Sequence, residues 1–382
     1  MQERYCAVAI FDTVGFHTVN PFRYQGPLPP EELIDREHEL YELQHAAADR
    51  VNMRLAAPRR FGKSSLLEAH LASMRSAGHR GVRVDFYRVA TLADVAARLL
   101  GAYRQLPADP GRTLERITRS MGLSVGPGGV TVQVGPRGAR SPIGAEQARH
   151  ALLDALDLPA RLHGADGTLT AVAFDEFQDL LTADDRLDGL FRSVIQHHGD
   201  AAAYVYAGSR PSMMREMFAA RERPFFGQAR PLELPPLPAA GTVAELGTIF
   251  RAHDLAPGQA LADIVTIARG HPQRTMLLAH HLYNTLGQGG VKEPAAAALD
   301  LALTETADAH QASWEALDRP ERAIVAALAD GRAATGQRTA REHATSRSSL
   351  QRALGRLLSE QQHVVPGPAL LDPLFAEWLR RR

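Results

Sequence analysis

The sequence predicts an α/β protein with a parallel-sheet core, an all-α unit and a C-terminal winged helix-turn-helix. Three observations support this prediction. The apolar run Val51 to Ala56 leads into a Gly-Lys-Ser turn and then a helical pattern. A second apolar run, Leu169 to Phe174, ends in two adjacent acids. After residue 237 the pattern is helical until a short hairpin near residue 365, so the sheet belongs to the first part of the chain.

The segment Pro58 to Ser65 follows the first strand and predicts a phosphate-binding loop. Backbone N–H groups at the start of the next helix would surround phosphates, and the helix dipole favours negative charge there. We expect Lys63 to neutralise the β- and γ-phosphates and Ser64 to coordinate Mg²⁺. Ala57 occupies the position of the usual first glycine, which alanine tolerates unless φ must be positive. A chance Gly-Lys-Ser at a helix start is the less favoured alternative.

Asp175 and Glu176 follow the second apolar run. A buried parallel strand delivers such residues to the carboxyl edge of its sheet, where α/β proteins bind ligands. We expect Asp175 to hold Mg²⁺ and Glu176 to activate or orient the water that attacks the γ-phosphate. Two solvated acids at a strand end are the alternative, which the upstream phosphate loop makes less probable.

Between these motifs, residues 107–145 are rich in glycine and proline and include Val130 to Val134, which predicts a β-hairpin insertion. Beyond the acids, Ala203 to Ala207 reads as another buried strand. It is followed by Ser209, which would sense the γ-phosphate or, equally, cap the helix near Ser212. Lys63, Glu176 and Ser209 are the predicted catalytic residues.

Four units are expected. They are a lead segment (residues 1–30, with a possible strand at Tyr5–Phe11), an α/β core (31–237), a helical unit (238–310) and the winged helix-turn-helix (311–382). A core helix is predicted from Pro30 to about Arg50.

The composition is that of an ordinary globular protein, with 43 basic and 43 acidic residues, so no global field attracts nucleic acid or acidic membranes. Cys6 is the only cysteine, which excludes a disulfide within the chain and fits a reducing compartment. No apolar run reaches membrane-spanning length, and the first residues lack a signal-peptide pattern. We therefore expect a cytoplasmic protein with no membrane partner.

Together these residues resemble the archaeal-type ATPase family, on the STAND and origin-recognition-like side of the AAA+ P-loop ATPases. The resemblance covers about residues 20–382. Its motifs are Asn20-Pro21-Phe22, Asp35 to Leu40, Pro58 to Leu66, Asp175-Glu176-Phe177-Gln178, Gly208-Ser209, Gly270-His271-Pro272 and Asp372 to Phe375.

The resemblance implies that the chain binds ATP with Mg²⁺ and that residues 238–310 form a lid. It places the adenine near Asp35 and Arg36, and it assigns nucleotide contacts to the lid and loop. The implied binding residues are Asp35, Arg36, Pro58, Arg59, Arg60, Phe61, Gly62, Lys63, Ser64, Ser65, Pro272 and Arg274.

Related ATPases often take an arginine from a neighbouring subunit, which implies a homo-oligomer on ATP binding. The family commonly has this arginine after a Phe-Gly pair, where this chain has Gln228. Arg223 and Arg230 are the alternative candidates, although a plain solvated surface charge is the favoured interpretation for each.

The preferred functional hypothesis is an ATP-hydrolysing switch that moves the winged helix. A second is a DNA-binding regulator with a structural nucleotide, in which Arg347, Gln351 and Arg352 contact duplex DNA. Residues 318–382 have 11 arginines and seven acids, a net charge of +4, which is modest for a DNA reader, so a protein partner is an alternative. A third hypothesis is a defence or signalling protein that oligomerises on ATP.

Overall fold

The α/β core has alternating strands and helices. The structure, a computed structural model, describes residues 19–106, 123–126, 129–134, 139–141, 144–360 and 363–382, so the strand predicted at Tyr5–Phe11 lies outside the described residues. In chain order the elements are α1 (Glu37–Ala48), β1 (Met53–Ala56), α2 (Lys63–Ser76), β2 (Arg80–Asp85), α3 (Leu92–Tyr103), β3 (Leu123–Gly126), β4 (Gly129–Val134), β5 (Ala139–Ser141), α4 (Ala145–Leu156), α5 (Leu158–Asp166), β6 (Thr170–Asp175), α6 (Leu180–Ala183), α7 (Leu187–Ile195), β7 (Ala202–Gly208), α8 (Pro211–Ala219) and β8 (Arg230–Glu233).

Five of these strands form a parallel sheet in the order β2-β6-β7-β1-β8. The register aligns Ala56 with Gly208 and Asp85 with Asp175, so the carboxyl ends of the strands lie along one edge. β6 and β7 are buried along their whole length, which explains their unbroken apolar sequences. The predicted parallel sheet is therefore confirmed, with the candidate site residues at its carboxyl edge.

The two faces of the sheet carry side chains of different size. Large residues such as Phe174 and Tyr206 pack in one cluster with α3, α4, α7 and α8. Small residues such as Ala173 and Ala207 pack with α1 and α2 on the other face. The small side chains allow α2, which follows the predicted phosphate loop, to lie close to the strands.

The insertion contains a three-stranded antiparallel sheet in the order β3-β4-β5. Its central strand, β4, includes the predicted strand Val130 to Val134. The remaining residues of the predicted 107–145 insertion that connect these strands lie outside the described residues.

The start of the core differs from the prediction. Residues Pro30–Glu32 form a single 3-10 turn, and α1 begins only at Glu37. Asp35 lies between them with a φ of 51°, in the left-handed region, which interrupts a continuous helix. The predicted helix from Pro30 is therefore wrong in its first turns.

Residues 238–316, all of which the structure describes, form a helical unit without strands. The unit extends past the lid boundary expected at residue 310, because the helix Pro294–Ala316 continues across it. Its helices are α9 (Ala239–Ala252), α10 (Gln259–Ala268), α11 (Pro272–Gln288) and α12 (Pro294–Ala316). The lead segment packs onto this unit, because Phe22 is fully buried against the rings of Phe250 and Tyr283.

The C-terminal unit has the order of elements predicted for a winged helix-turn-helix. Its elements are α13 (Arg319–Ala329), α14 (Gln337–Glu342), α15 (Arg347–Glu360), β9 (Val364–Val365), β10 (Ala369–Leu370) and α16 (Pro373–Arg380). β9 and β10 pair antiparallel, and Leu350, Val364 and Phe375 share one buried core. Among the described residues, no helix is both long and apolar enough to cross a membrane.

Candidate functional site

The predicted phosphate loop joins β1 to α2, and Lys63 is the first residue of that helix. Its left-handed residues are Arg60, with a φ of 65°, and Gly62, with a φ of 85°. Ala57 does not have a positive φ, and its N–H donates to the Gly208 carbonyl at 3.3 Å. Alanine is therefore compatible with this loop at the position where glycine is usual.

The loop and the acid pair come together at the carboxyl edge of the sheet. Lys63 Nζ lies 3.9 Å from Glu176 Oε1, and both groups are largely buried. The Ser64 hydroxyl donates to Asp175 Oδ2 at 3.2 Å. A hydroxyl and a carboxylate are the oxygen ligands that suit Mg²⁺, so the two predicted metal ligands fit such an ion.

The backbone of Glu176 lies in the left-handed region, with a φ of 50°. Hydrogen bonds fix the orientation of its side chain. Its Oε2 accepts hydrogen bonds from the Ser209 hydroxyl at 2.6 Å, the Ser209 N–H at 3.1 Å and the Gln178 amide at 2.7 Å. These donors leave Oε1 as the oxygen nearer Lys63. Ser209 does not cap α8, because the cap residue is Arg210, so the helix-cap interpretation of Ser209 is wrong.

Gly208 allows this arrangement because no side chain fits at its position. A Cβ there would lie 2.3 Å from Gln178 Oε1 and 2.5 Å from Met214 Cγ. The strand can therefore pass close enough for Ser209 to reach the glutamate.

Arg83 on β2 is a site residue that the sequence reasoning missed. Its Nη2 donates to Asp175 Oδ2 at 2.6 Å, and its Nη1 donates to Glu68 Oε1 at 3.1 Å. Burial lowers the pKa of the Arg83 guanidinium, but the charges and hydrogen bonds of Asp175 and Glu68 together outweigh burial, and the pKa is raised overall. The sequence signal for Arg83 was a positively charged residue within a strand of alternating polar and apolar residues. That strand lies next to the strand that carries the acid pair.

A cavity of about 700 Å³ opens in front of the loop and is large enough for a nucleotide. It is bounded by residues 23–28 of the lead segment, the loop, and the lid helices α11 and α12. The predicted binding residues that line it are Arg36, Arg60, Phe61, Gly62, Lys63, Ser64, Ser65, Pro272 and Arg274.

Three predicted binding residues do not line this cavity in the described structure: Asp35, Pro58 and Arg59. The Arg59 guanidinium instead lies 5.7 Å from the centre of the exposed Tyr87 ring. Asp35 packs against α9, where a Cβ on Gly241 would lie 2.5 Å from Asp35 Oδ2.

Two cavity residues connect the site to the lead segment and to Pro235, which follows β8. The Ser65 hydroxyl accepts a hydrogen bond from the Leu28 N–H at 2.9 Å. Arg36 is buried, pairs with Glu39 at 3.0 Å and donates to the Pro235 carbonyl at 2.7 Å. Arg36 therefore borders the cavity with its charge already partly compensated.

Arg274, in the first turn of α11, is bound to the C-terminal unit. Its Nε donates to Asp372 Oδ1 at 3.0 Å, its Nη2 also pairs with Asp372, and only 2% of the residue is exposed. Asp372 also caps α16 by accepting from the Leu374 N–H at 3.0 Å. Burial raises the pKa of Asp372, but the close contact with His310 and the hydrogen bonds and charge of Arg274 together outweigh burial and hold that pKa well below its usual value.

The lid and the loop are in direct contact next to this ion pair. The ring of Phe61 lies 5.1 Å from the ring of His271, centre to centre, and His271 Nδ1 accepts from the Arg274 N–H at 3.4 Å. Burial lowers the pKa of His271 to about 4, so the ring is neutral at physiological pH. The α11 start is therefore packed against the phosphate loop on one side and Asp372 on the other.

Both arginine candidates for a neighbouring subunit are paired within the chain. Arg223 binds Glu216 at 2.9 Å and lies 3.6 Å from Asp188. Arg230 binds Glu42 at 2.9 Å and begins β8, at the edge of the sheet opposite the candidate site. Their role between subunits stays a prediction.

The candidate DNA-contact residues lie on α15. Arg347, Gln351 and Arg352 are exposed, whereas the neighbouring Arg356 binds Glu321 at 3.0 Å and also pairs with Asp318. Three polar side chains are thus presented to solvent by this helix, and their partner stays a prediction.

Comparison with solved structures supports this architecture over nearly the whole chain. The Walker-type ATPase of Pyrococcus abyssi superposes with a TM-score of 0.65 at 18% identity, covering 94% of this chain and 99% of that one. The Aeropyrum pernix ORC2 protein, in ADPNP–ADP complexes, superposes with a TM-score of 0.61 at 15% identity, covering 94% and 96%. The chain has the fold of the AAA+ P-loop ATPases. No protein-family model and no curated protein matches the sequence.

Proposed function

We propose that this chain is a Mg²⁺-dependent ATPase that acts as a molecular switch, with its nucleotide state coupled to the C-terminal winged-helix unit. One observation carries the catalytic part of the proposal: Lys63, Ser64, Asp175, Glu176 and Ser209 meet at one edge of the sheet beside a nucleotide-sized cavity. The fold shared with the Walker-type ATPase of Pyrococcus abyssi supports it.

Each residue has a distinct task in this proposal. Lys63 and the N–H groups at the start of α2 bind the phosphates of ATP. Ser64 and Asp175 hold Mg²⁺, which offsets the phosphate charge. Glu176 accepts a proton from the attacking water at Oε1, because Oε2 is occupied by Ser209 and Gln178. Ser209 thereby positions the base.

The Arg274–Asp372 ion pair supports the switch part of the proposal. Arg274 lines the cavity, whereas Asp372 begins the last helix of the C-terminal unit. A phosphate that attracted Arg274 would compete with Asp372 for the same guanidinium. Nucleotide binding and the position of the C-terminal unit are then energetically linked.

The output of the switch is assigned to residues 318–382. Arg347, Gln351 and Arg352 are the proposed contacts to duplex DNA, and a protein partner is the alternative for the same exposed helix. Self-association on ATP binding is also proposed, through Arg223 or Arg230 after release from their partners within the chain. A cytoplasmic location stays a prediction.

Lys63→Ala is expected to weaken ATP binding by tenfold to a hundredfold or so, because it removes a buried cation that bonds to phosphate. The measurement is titration of a fluorescent ATP analogue with Mg²⁺ present. Lys292→Ala is the matched control, since Lys292 is the second of the chain's two lysines and is exposed. Equal affinity of both variants and the wild type would refute the phosphate-loop assignment.

A further inference from the structure

Asp175 Oδ2 accepts hydrogen bonds from two groups of the site. It accepts from the Ser64 hydroxyl at 3.2 Å and from Arg83 Nη2 at 2.6 Å. The carboxylate proposed to bind Mg²⁺ is therefore also the partner of a guanidinium. Only 4% of the Asp175 side chain and 23% of the Arg83 side chain are exposed, so water screens this pair only partly.

A metal ion and the guanidinium compete for this oxygen. Mg²⁺ binds oxygen ligands at about 2.0–2.1 Å in an octahedral arrangement and tolerates little distortion. Two cations on one carboxylate oxygen also repel each other, more strongly in a partly buried site than in water. Binding of Mg²⁺ through Asp175 must therefore weaken the bond from Arg83.

Glu68 provides a second anchor for the guanidinium. It lies on α2, and its Oε1 accepts from Arg83 Nη1 at 3.1 Å. Arg83 can therefore leave Asp175 and keep one carboxylate partner. It also lines the cavity, where its charge acts on any bound phosphate.

We propose that Arg83 is a built-in counter-ion of the metal site, which neutralises Asp175 when Mg²⁺ is absent and yields the carboxylate when Mg²⁺ arrives with the nucleotide. The proposal rests on the proposed function and adds a regulator of its metal requirement. Without Arg83, the bare Asp175 carboxylate repels metal-free nucleotide and attracts Mg²⁺ more strongly. Nucleotide affinity then depends more steeply on the metal.

The test measures the dissociation constant of fluorescent ADP in EDTA and in saturating Mg²⁺. In Arg83→Ala, the dissociation constant in EDTA divided by that in Mg²⁺ is expected to rise about tenfold over the wild-type ratio. The affinity for ADP falls in EDTA, while Mg²⁺ binds more tightly. Arg80→Ala is the matched control. Arg80 lies on the same strand and pairs with Asp166, and its loss should leave the ratio unchanged.

Glu68→Gln is expected to change the Mg²⁺ requirement in the opposite direction. The displaced guanidinium loses its second carboxylate, so Mg²⁺ competes less well and its half-saturating concentration should rise. Arg83→Gln replaces Arg83→Ala if the alanine variant does not fold. If Arg83 only holds β2 and α2 together, Arg83→Ala is expected to lower thermal stability and leave the ratio unchanged.

The outcomes separate this inference from the proposed function. An unchanged ratio in the Arg83 variant, with wild-type protein that binds Mg-ADP, overturns the counter-ion role alone. Wild-type protein that binds no nucleotide with or without Mg²⁺ overturns the proposed function instead. A raised ratio in Arg83→Ala together with a raised Mg²⁺ requirement in Glu68→Gln supports the inference.

Discussion

Glu176→Gln is expected to lower ATP turnover by about a hundredfold or more while nucleotide remains bound. The amide cannot accept the proton that the carboxylate takes from water, which removes general-base catalysis. Glutamine is close in shape to glutamate, and the 3.9 Å contact between Lys63 Nζ and Glu176 Oε1 does not require a charged oxygen to keep the side chain in place. The measurement pairs phosphate release under saturating ATP with the affinity for a fluorescent ATP analogue.

Ser209→Ala is expected to lower turnover by impairing the same base, but by less than Glu176→Gln. It removes the 2.6 Å hydrogen bond to Glu176 Oε2 but leaves the bonds from the Ser209 N–H and Gln178. The glutamate stays in place with less restraint, so a smaller loss, about tenfold, is expected. Wild-type turnover in Glu176→Gln would assign the base to another residue.

The core of the site was predictable because its signals are local. β1, the loop and α2 are consecutive in the chain, and the Asp-Glu pair lies at the end of β6, with Asp175 as its last residue. Parallel pairing then brings the strand ends to one edge regardless of the loops between them. Ser209 could be placed at this edge from the sequence, but its contact with Glu176 required the sheet order.

The missed contacts join residues far apart in sequence. Arg83 and Asp175 are brought together only because β2 pairs with β6 across the whole insertion, and their side chains then lie on neighbouring strands. Arg274 and Asp372 meet only because the C-terminal unit packs on the start of α11. The helix predicted from Pro30 failed for a different reason: Asp35 has a left-handed φ that breaks the helix, and helix propensity does not report the conformation of a single residue.

Asp372→Asn is expected to lower the free energy of unfolding by about 2 to 3 kcal/mol, because it leaves the buried Arg274 guanidinium without its anionic partner. The asparagine oxygen can still accept from the Leu374 N–H, so the α16 cap is largely kept. Chemical denaturation gives the loss. Asp300→Asn is the matched control, since it breaks an exposed pair with Arg381 and should cost about 1 kcal/mol or less.

Nucleotide binding then tests whether the Arg274–Asp372 pair is purely structural or couples ATP binding to the C-terminal unit. If Arg274 turns to a phosphate when nucleotide binds, that phosphate replaces Asp372 as the partner, and the ligand removes the penalty of the substitution. The rise in melting temperature on adding a non-hydrolysable Mg-ATP analogue should therefore be larger in Asp372→Asn than in the wild type or in Asp300→Asn. Equal rises in all three would mean that Arg274 binds Asp372 in every nucleotide state. The C-terminal unit would then be fixed to the lid rather than coupled to ATP through this pair.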